Sequence, residues 1–278
     1  MSNLDSFLSD DACPKNVIMT KATVALSPSR LPGLDLALNP YSGCAHRCTY
    51  CYAPYIMRRP VDDWGCTISA RMNLPVLLDK ELPRKKGMIG LGTVTDPYQP
   101  AEGALRLTRH CLEIMAKHHA RTSVLTKSSL VARDADLLSR LDGSEVGITM
   151  TTVRDDRAAI FEPCASPPSK RLEAMKALHE AGVNVYAFLG PIIPTVADRG
   201  LVDLIGSICD AGASMIMVDR LNLRPGMMAR MLARMEEVDP SSIAELGASI
   251  EDDAYYGSIT ERIKALCREQ GMPYRDAF

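Results

Sequence analysis

Short apolar runs alternate with segments of helical periodicity through most of this chain. Six of the runs are predicted as strands, at residues 34–38, 87–96, 123–126, 146–152, 183–189 and 213–218, and the run at 87–96 has the apolar character of a buried parallel strand. Between them, apolar residues recur three or four positions apart, which indicates helices over 101–118, 132–141, 168–181 and 201–211. The pattern therefore predicts an α/β fold in which strands and helices alternate.

The spacing of the last units defines the architecture further. Gly182 and Gly212 follow two predicted helices and lie one βαβ repeat apart. Six parallel strands make an open arc rather than a closed eight-stranded ring. We predict an N-terminal lead-in (1–33), a six-stranded partial (β/α)6 TIM-type barrel (34–225) and a C-terminal helical extension (226–278) with helices at 227–237, 241–250 and 258–270. Within the lead-in, we expect a mobile tail at 1–12 and an extended segment at 17–26.

Composition and charge restrict the class of protein. The 278 residues are 46% hydrophobic and 24% charged, as in ordinary globular domains. There is no run of 18 apolar residues and no basic n-region, so we expect a cytoplasmic protein without a membrane segment. Nine cysteines without a regular pairing pattern suit a reducing compartment, where disulfides are not expected. A formal net charge of −2 gives no electrostatic support for nucleic-acid binding, although it does not exclude a local basic groove.

The strongest chemical signal is the stretch NPYSGCAHRCTYCYA at residues 39–53. Thiolates of Cys44, Cys48 and Cys51 could bind three irons of an iron–sulfur cube and leave the fourth iron open for a small molecule. Gly43 would allow the tight turn into this loop. A structural zinc site with His46 as a fourth ligand is the alternative, but zinc sites usually use two short ligand pairs, and no second pair follows.

The Cys-x3-Cys-x2-Cys motif with an aromatic residue at position 50 resembles the radical S-adenosylmethionine (SAM) enzymes. The longer stretch at 39–53 resembles, more narrowly, the branch related to spore photoproduct lyase. The resemblance implies a [4Fe–4S] cluster with SAM on its open iron, reductive cleavage to a 5′-deoxyadenosyl radical, and hydrogen-atom abstraction from a substrate. It also implies oxygen sensitivity and an external one-electron donor such as ferredoxin or flavodoxin.

Polar residues at the predicted strand ends are candidates for binding SAM, because barrel enzymes place their chemistry there. The resemblance implies that Thr95 and Asp96 bind the amino group and that Lys127 pairs with the carboxylate. It also implies that adenine packs on the segment after the fifth strand. The full set of cofactor-binding candidates is Tyr50, Tyr52, Thr95, Asp96, Lys127, Thr149, Thr151, Pro191 and Ile192. Simpler readings stay open, since Asp before Pro opens turns, lysine is usually exposed, and threonine favours strands.

One position departs from the lyase pattern. In that family a cysteine just before the residues that resemble 94–96 returns a hydrogen atom to the product radical, whereas this chain has Thr93. A hydroxyl is a poor hydrogen-atom donor, so we do not expect spore photoproduct repair.

Other residues are therefore considered for the catalytic step. Cys66 and Cys164 are alternative donor thiols in predicted loops. Tyr98 is a further catalytic candidate, and Arg220 and Arg224 are candidates for gripping an anionic or planar substrate. Glu162, in a Phe-Glu-Pro that also resembles the lyase family, is a candidate contact to substrate or cofactor.

Three functions stay open at this point. The first is a radical SAM enzyme with an unassigned substrate, and the second is a radical SAM enzyme that modifies RNA or protein. The third is an iron–sulfur redox sensor or electron carrier without SAM chemistry. The six cysteines outside the motif are isolated in sequence, so no second cluster is predicted.

Overall fold

A computed structural model describes residues 16–277. The strands are β1 (Asn16–Thr20), β2 (Leu26–Pro28), β3 (Leu36–Leu38), β4 (Tyr41–Ser42), β5 (Thr67–Arg71), β6 (Ile89–Leu91), β7 (Thr122–Thr126), β8 (Glu145–Thr149), β9 (Val185–Ile192), β10 (Ile216–Arg220) and β11 (Tyr274–Asp276). The helices are α1 (Ala53–Ile56), α2 (Leu74–Glu81), α3 (Ala101–Leu105), α4 (Leu107–Lys117), α5 (Ala135–Leu138), α6 (Asp155–Phe161), α7 (Pro168–Glu180), α8 (Leu201–Asp210), α9 (Met227–Val238), α10 (Ile243–Ser249) and α11 (Asp253–Glu269). Short 3₁₀ turns occupy Ser129–Asp134 and Pro240–Ser242.

A sheet of eight strands forms the centre, in the order β11-β10-β9-β8-β7-β6-β3-β2. The six strands from β3 to β10 in this sheet are mutually parallel and follow one another in chain order. They coincide with the six predicted apolar runs, so the predicted α/β class is confirmed. Two edge strands were not predicted as members of the sheet: β11 adds in parallel to β10, and β2 adds antiparallel to β3.

Burial on both faces explains why these runs form the sheet. Residues 185–189 of β9 are almost all buried, and helices cover the sheet. Helix α8, for example, buries Leu201, Leu204, Ile205 and Ile208 along one side. Because the strands are parallel, their carboxyl ends meet at one edge, which is where the polar residues of the sequence motifs fall.

The helix predicted over 101–118 is wrong in one respect, since it is interrupted at Arg106, which has a φ of 49°. The buried carboxylate of Glu102 accepts hydrogen bonds from the backbone N–H groups of Thr108 (2.8 Å) and Arg109 (3.2 Å), which caps the second helix. Glu102 is itself held by Arg133 at 2.7 Å. A long-range charge pair therefore sets this break, and no local turn residue signals it.

Other predicted boundaries also need correction. The strand predicted over 87–96 is limited to Ile89–Leu91, which leaves residues 93–96 outside the strand. The helix predicted over 132–141 is a 3₁₀ turn followed by the four residues of α5. The last helix begins at Asp253 rather than 258, because the side chain of Asp252 caps it through the N–H of Ala254 at 2.9 Å.

The lead-in is more structured than the sequence indicated. The segment 17–26 is not one extended unit, because β1 belongs to a separate three-stranded sheet in the order β1-β5-β4, whereas β2 joins the main sheet. The tail predicted at 1–12 lies outside the described residues. Between residues 16 and 277, no helix has both the length and the apolar character needed to cross a membrane.

Candidate metal and cofactor site

The three motif cysteines lie on the cluster loop, which we define as residues 43–52 between β4 and α1. Gly43 has the positive φ (85°) expected from the sequence, and a Cβ at this position would stand 2.8 Å from the carbonyl oxygen of Thr67. The carbonyl of Gly43 accepts hydrogen bonds from Thr95 Oγ1 (2.6 Å) and Gln99 Nε2 (3.2 Å). Gln99 Oε1 also accepts from the N–H of Ala45 at 2.9 Å. Residues following β6 therefore hold the first half of the loop.

The segment after α6 holds the second half. The N–H of Thr49 donates to the carbonyl of Phe161 at 2.9 Å, and the N–H of Cys164 donates to the carbonyl of His46 at 3.3 Å. Arg230, from α9, donates to the carbonyl of Thr49 at 3.2 Å. The C-terminal helical region thus contributes directly to the loop, a role that the sequence did not predict.

The cysteine thiols are close enough to affect one another electrostatically. Burial raises the pKa of the Cys44 thiol well above its usual range, and the neighbouring Asp96, Cys48 and Cys51 raise it further. Burial is also the main reason that the pKa of Cys48 is raised to about 12. Cys44 is buried, Cys48 and Cys51 are partly exposed, and burial raises the pKa of all three thiols. A bound cation would stabilise their ionised forms, because metal ligation requires thiolates.

Trp64 provides an independent test of whether this loop fits a cluster. Its indole is buried against Cys44, with Cys51 packed at the side. The indole Nε1–H has no hydrogen-bond partner of normal geometry, yet it is near enough to Cys51 to lower the pKa of that thiol, which burial raises. A metal-bound sulfur of Cys51 would satisfy this donor, so the residues fit the group. Sequence reasoning missed Trp64, because no spacing links it to the cysteines.

The zinc alternative is less well supported by the geometry. His46 Nδ1 lies 3.2 Å from Asp96 Oδ2, and the imidazole is almost fully buried, so this side chain already has a partner. Among residues 16–277, no three His, Cys, Asp or Glu side chains are placed to hold one metal ion together. The cysteines of a cube each bind a different iron and need not converge on a single point.

Asp96 joins three elements at the edge of the sheet. Its carboxylate accepts hydrogen bonds from Thr126 Oγ1 (2.7 Å), the N–H of Lys127 (2.8 Å) and the N–H of Tyr98 (2.8 Å). Burial alone would raise the pKa of Asp96, but His46 and these donors outweigh it and lower the pKa to about 2. The carboxylate oxygens, like the hydroxyl of Thr95, are therefore already engaged within the protein.

A buried charge network lies under the other side of the loop. The Glu162 carboxylate pairs with Arg171 and accepts a hydrogen bond from the hydroxyl of Tyr50. Both charged side chains are at most 1% exposed. Arg171 also donates to the carbonyls of Ser166 (2.6 Å) and Thr149 (3.0 Å). The network therefore connects Tyr50, between two of the motif cysteines, to the end of β8.

Lys127 extends over this network from the end of β7. Its ammonium is 5.5 Å from the centre of the Tyr50 ring, and it lowers the pKa of both Cys48 and Cys51. Between residues 16 and 277 this ammonium has neither a hydrogen bond nor an ion pair. It is attracted to the Glu162 carboxylate, whose pKa it lowers, and its three N–H donors keep the capacity for a further anionic partner.

The other cofactor candidates are found at the same edge. Tyr52 is 41% exposed, and its hydroxyl donates to the carbonyl of Thr93 at 2.7 Å. Thr149 ends β8 with a buried hydroxyl that lacks a partner within the described chain, whereas the Thr151 hydroxyl is 3.4 Å from Glu162. Pro191 and Ile192 belong to β9 itself rather than to a following loop.

The four catalytic candidates are not brought together. Tyr98 is fully buried, and burial followed by the nearby carboxylates of Asp134 and Glu102 raises its pKa strongly. Cys66 is exposed, with its sulfur 3.4 Å from the carbonyl of Asp62. A direct contact of Tyr98 with substrate would require that side chain to become exposed.

Cys164 and Arg224 complete this set. The sulfur of Cys164 is disulfide-bonded, so the expectation that all nine cysteines are free thiols is wrong at this residue. Donation of a hydrogen atom from Cys164 would require its prior reduction. Arg224 is exposed and lines a groove with Asn222 and Glu251. Arg220 instead pairs with Asp253 at 2.6 Å.

Comparisons with known proteins identify the family of the chain. Residues 38–208 match the Radical SAM superfamily. The chain therefore belongs to the radical SAM superfamily, and it is a radical SAM enzyme whose family uses a [4Fe–4S] cluster and SAM.

Individual relatives add the fold but no substrate. An uncharacterized protein of Methanocaldococcus jannaschii is 37% identical over 183 residues, which are 66% of this chain and 70% of that protein. An uncharacterized protein of Mycobacterium tuberculosis is 28% identical over 219 residues, 74% of this chain but only 64% of that protein. A structure of spore photoproduct lyase with bound AdoMet and dinucleoside spore photoproduct has a TM-score of 0.70 at 14% identity, covering 100% of this chain and 85% of that chain.

Proposed function

We propose that Cys44, Cys48 and Cys51 bind three irons of the cluster and leave the fourth iron to SAM, whose reductive cleavage starts hydrogen-atom abstraction from a substrate. The observation that carries this proposal is the loop of three neighbouring thiols, whose ionisation is disfavoured by burial and which the ammonium of Lys127 faces. When bound, the cluster and SAM supply one electron and a 5′-deoxyadenosyl radical. The protein's part is to bind, orient and exclude water.

The roles of individual side chains follow from which of their hydrogen-bonding groups are already engaged within the protein. We assign Lys127 to the carboxylate of SAM, since its ammonium is near two of the thiols and donates no hydrogen bond within residues 16–277. Thr95 and Asp96 are engaged with Gly43, Thr126 and the N–H of Lys127, so we assign them to holding the loop and the lysine rather than to a strong direct contact. A contact with the amino group would need those bonds to be exchanged.

The nucleoside half of SAM has complementary surfaces at the same edge. Tyr52 is exposed at the end of the loop, and Pro191 supplies partly exposed apolar surface in β9, whereas Ile192 is buried. The proposed architecture is the six-stranded partial barrel, with β2 and β11 as additions at its edges. Cytoplasmic location, oxygen sensitivity and a ferredoxin- or flavodoxin-type donor stay predictions of this proposal.

The substrate is proposed to differ from spore photoproduct. Thr93 occupies the position of the lyase family's donor cysteine, and its hydroxyl lies 3.1 Å from Asn39 Nδ2. A hydroxyl is a poor hydrogen-atom donor compared with a thiol, because its O–H bond is stronger than an S–H bond. We expect no conversion of dinucleoside spore photoproduct to thymines above the rate of a protein lacking the cluster.

Anaerobic incubation with SAM and dithionite tests the proposal. We expect 5′-deoxyadenosine from the wild type and none from Cys48→Ala, whereas Cys209→Ala, a cysteine far from the loop in sequence, should retain cleavage. Cleavage retained in Cys48→Ala would contradict the ligand assignment. An intact cluster that yields no 5′-deoxyadenosine would favour an electron carrier instead.

A further inference from the structure

Helix α9 lies outside residues 38–208, the part of the chain that matches the family, yet it contacts the cluster loop. Met227, Met231 and Met235 recur every four residues along one side of this helix, and all three are fully buried in the main hydrophobic core. The helix is therefore anchored in the core, and its remaining side chains project from a fixed support.

Arg230 projects from this helix to the second half of the cluster loop. Its Nη2 donates to the carbonyl of Thr49 at 3.2 Å, and its Nη1 donates to the hydroxyl of Tyr55 at 3.1 Å. The Tyr55 hydroxyl in turn donates to the carbonyl of Pro225, just before the helix, at 2.8 Å. The guanidinium therefore joins α9 to the backbone between the second and third motif cysteines and to α1.

The Arg230 guanidinium has no carboxylate partner. Both of its hydrogen bonds end on uncharged oxygens, and it forms no ion pair within residues 16–277. Its side chain is partly buried, so water screens the charge less than at an exposed position. Arg234, one turn further along α9, pairs instead with Glu237 at 2.6 Å. One helix thus carries a guanidinium that is paired with a carboxylate and another that is not.

The charge of Arg230 acts on a motif cysteine. Burial raises the pKa of the Cys51 thiol, and the charges of Lys127 and Arg230 are among the influences that lower it. A cation that favours a thiolate also favours further negative charge on the group that the thiolate binds. Reduction adds one electron to an iron–sulfur cluster, whose potential depends on the charge and hydrogen bonds around it.

We propose that Arg230 raises the reduction potential of the cluster through its charge and is a positioning residue for the loop between Cys48 and Cys51. This inference rests on the proposed function, because it needs the cluster on the three cysteines. One electron passes from the external donor to the cluster, and no bond to Arg230 forms or breaks. The C-terminal helical extension then helps to set how readily the cluster accepts that electron.

Redox titration of the anaerobic, cluster-loaded protein without SAM tests this proposal independently of turnover. We expect Arg230→Gln to shift the reduction equilibrium about tenfold toward the oxidised cluster, which lowers the potential of a one-electron couple by about 59 mV. Arg230→Lys keeps the charge and should shift the equilibrium less than about threefold. Arg234→Gln removes a guanidinium that is paired with a carboxylate on the same helix, so this matched control should shift it less than about twofold. Absorbance near 400 nm confirms that each variant carries the cluster.

The outcomes separate charge from contact. Equal potentials in wild type and Arg230→Gln would overturn the inference, and so would equal shifts in Arg230→Gln and Arg230→Lys, since the contacts rather than the charge would then matter. If Arg230→Gln binds no cluster, Arg230→Lys decides. A cluster of nearly wild-type potential in Arg230→Lys supports the role of the charge, and loss of the cluster from both variants overturns it. A wild type that binds no cluster would instead refute the proposed function.

Discussion

The buried pair of Glu162 and Arg171 offers the sharpest test of how the loop is supported. Replacing Arg171 with Met removes the counter-charge of a carboxylate that is 1% exposed, together with donors to the carbonyls of Ser166 and Thr149. Breaking a buried pair from one side costs about 3–5 kcal/mol, because an uncompensated charge is left in the interior. The melting temperature should fall by roughly 2–4 °C for each kcal/mol.

The second substitution separates charge from packing. In the double variant Arg171→Met/Glu162→Gln no charge is left buried, and the amide can still accept from Tyr50. We therefore expect the double variant to be more stable than Arg171→Met alone, with a coupling free energy of about 1–3 kcal/mol. Lys170→Met is the matched control, since Lys170 lies next to Arg171 but pairs with Glu173 in solvent, where such pairs contribute at most about 1 kcal/mol.

Thermal unfolding of the cluster-free proteins, followed by circular dichroism, measures these differences. A loss below about 1 kcal/mol for Arg171→Met would show that the pair is not buried as described. A double variant whose loss equals the sum of the two single losses would show that the side chains do not interact. Either result would remove the physical basis for placing Tyr50 by this network.

Four further predictions concern the loop and its surroundings. The pKa of Asp96 in the folded state (about 2) is below its ordinary value of 3.8. The ionised carboxylate therefore stabilises the fold fully above about pH 4, and this stabilisation is lost as pH falls toward 2. Asp96→Asn should lack this pH-dependent part of the free energy of unfolding, which is roughly 2 kcal/mol. Lys127→Met should weaken SAM binding about tenfold and leave the absorbance of the cluster at about 400 nm intact. Lys117→Met, which removes an exposed ion pair with Asp79, is the control and should change neither. Unchanged SAM affinity in Lys127→Met would rule out the carboxylate contact. Trp64→Phe should lower the reduction potential of the cluster by about 20–60 mV through loss of a donor to Cys51, as measured by redox titration, and an unchanged potential would refute that bond. Iron analysis should give about four irons per chain, and about eight would reveal a second cluster.

The central strands could be predicted because a buried parallel strand leaves a local trace. The runs that became β7, β8 and β9 are mainly apolar, with no charged residue, and Gly182 closes the helix before β9. The ligand loop was also readable, since its three cysteines lie within eight residues. Each of these signals is contained in a single stretch of sequence.

The contacts between distant stretches left no such trace. Trp64, Gln99 and Arg171 reach the loop from three separate segments, and nothing in their spacing distinguishes them from other polar or aromatic residues. The break at Arg106 depends on the buried Glu102, a tertiary effect.

The account depends most on an iron–sulfur cluster whose open iron binds SAM. Electron paramagnetic resonance of the dithionite-reduced, anaerobically loaded protein measures this directly, with and without SAM. We predict the spectrum of a reduced [4Fe–4S] cluster that changes when SAM is added, and no such spectrum in Cys48→Ala. A wild-type protein that contains zinc and gives no cluster spectrum, or a cluster spectrum that SAM leaves unchanged, would contradict the account.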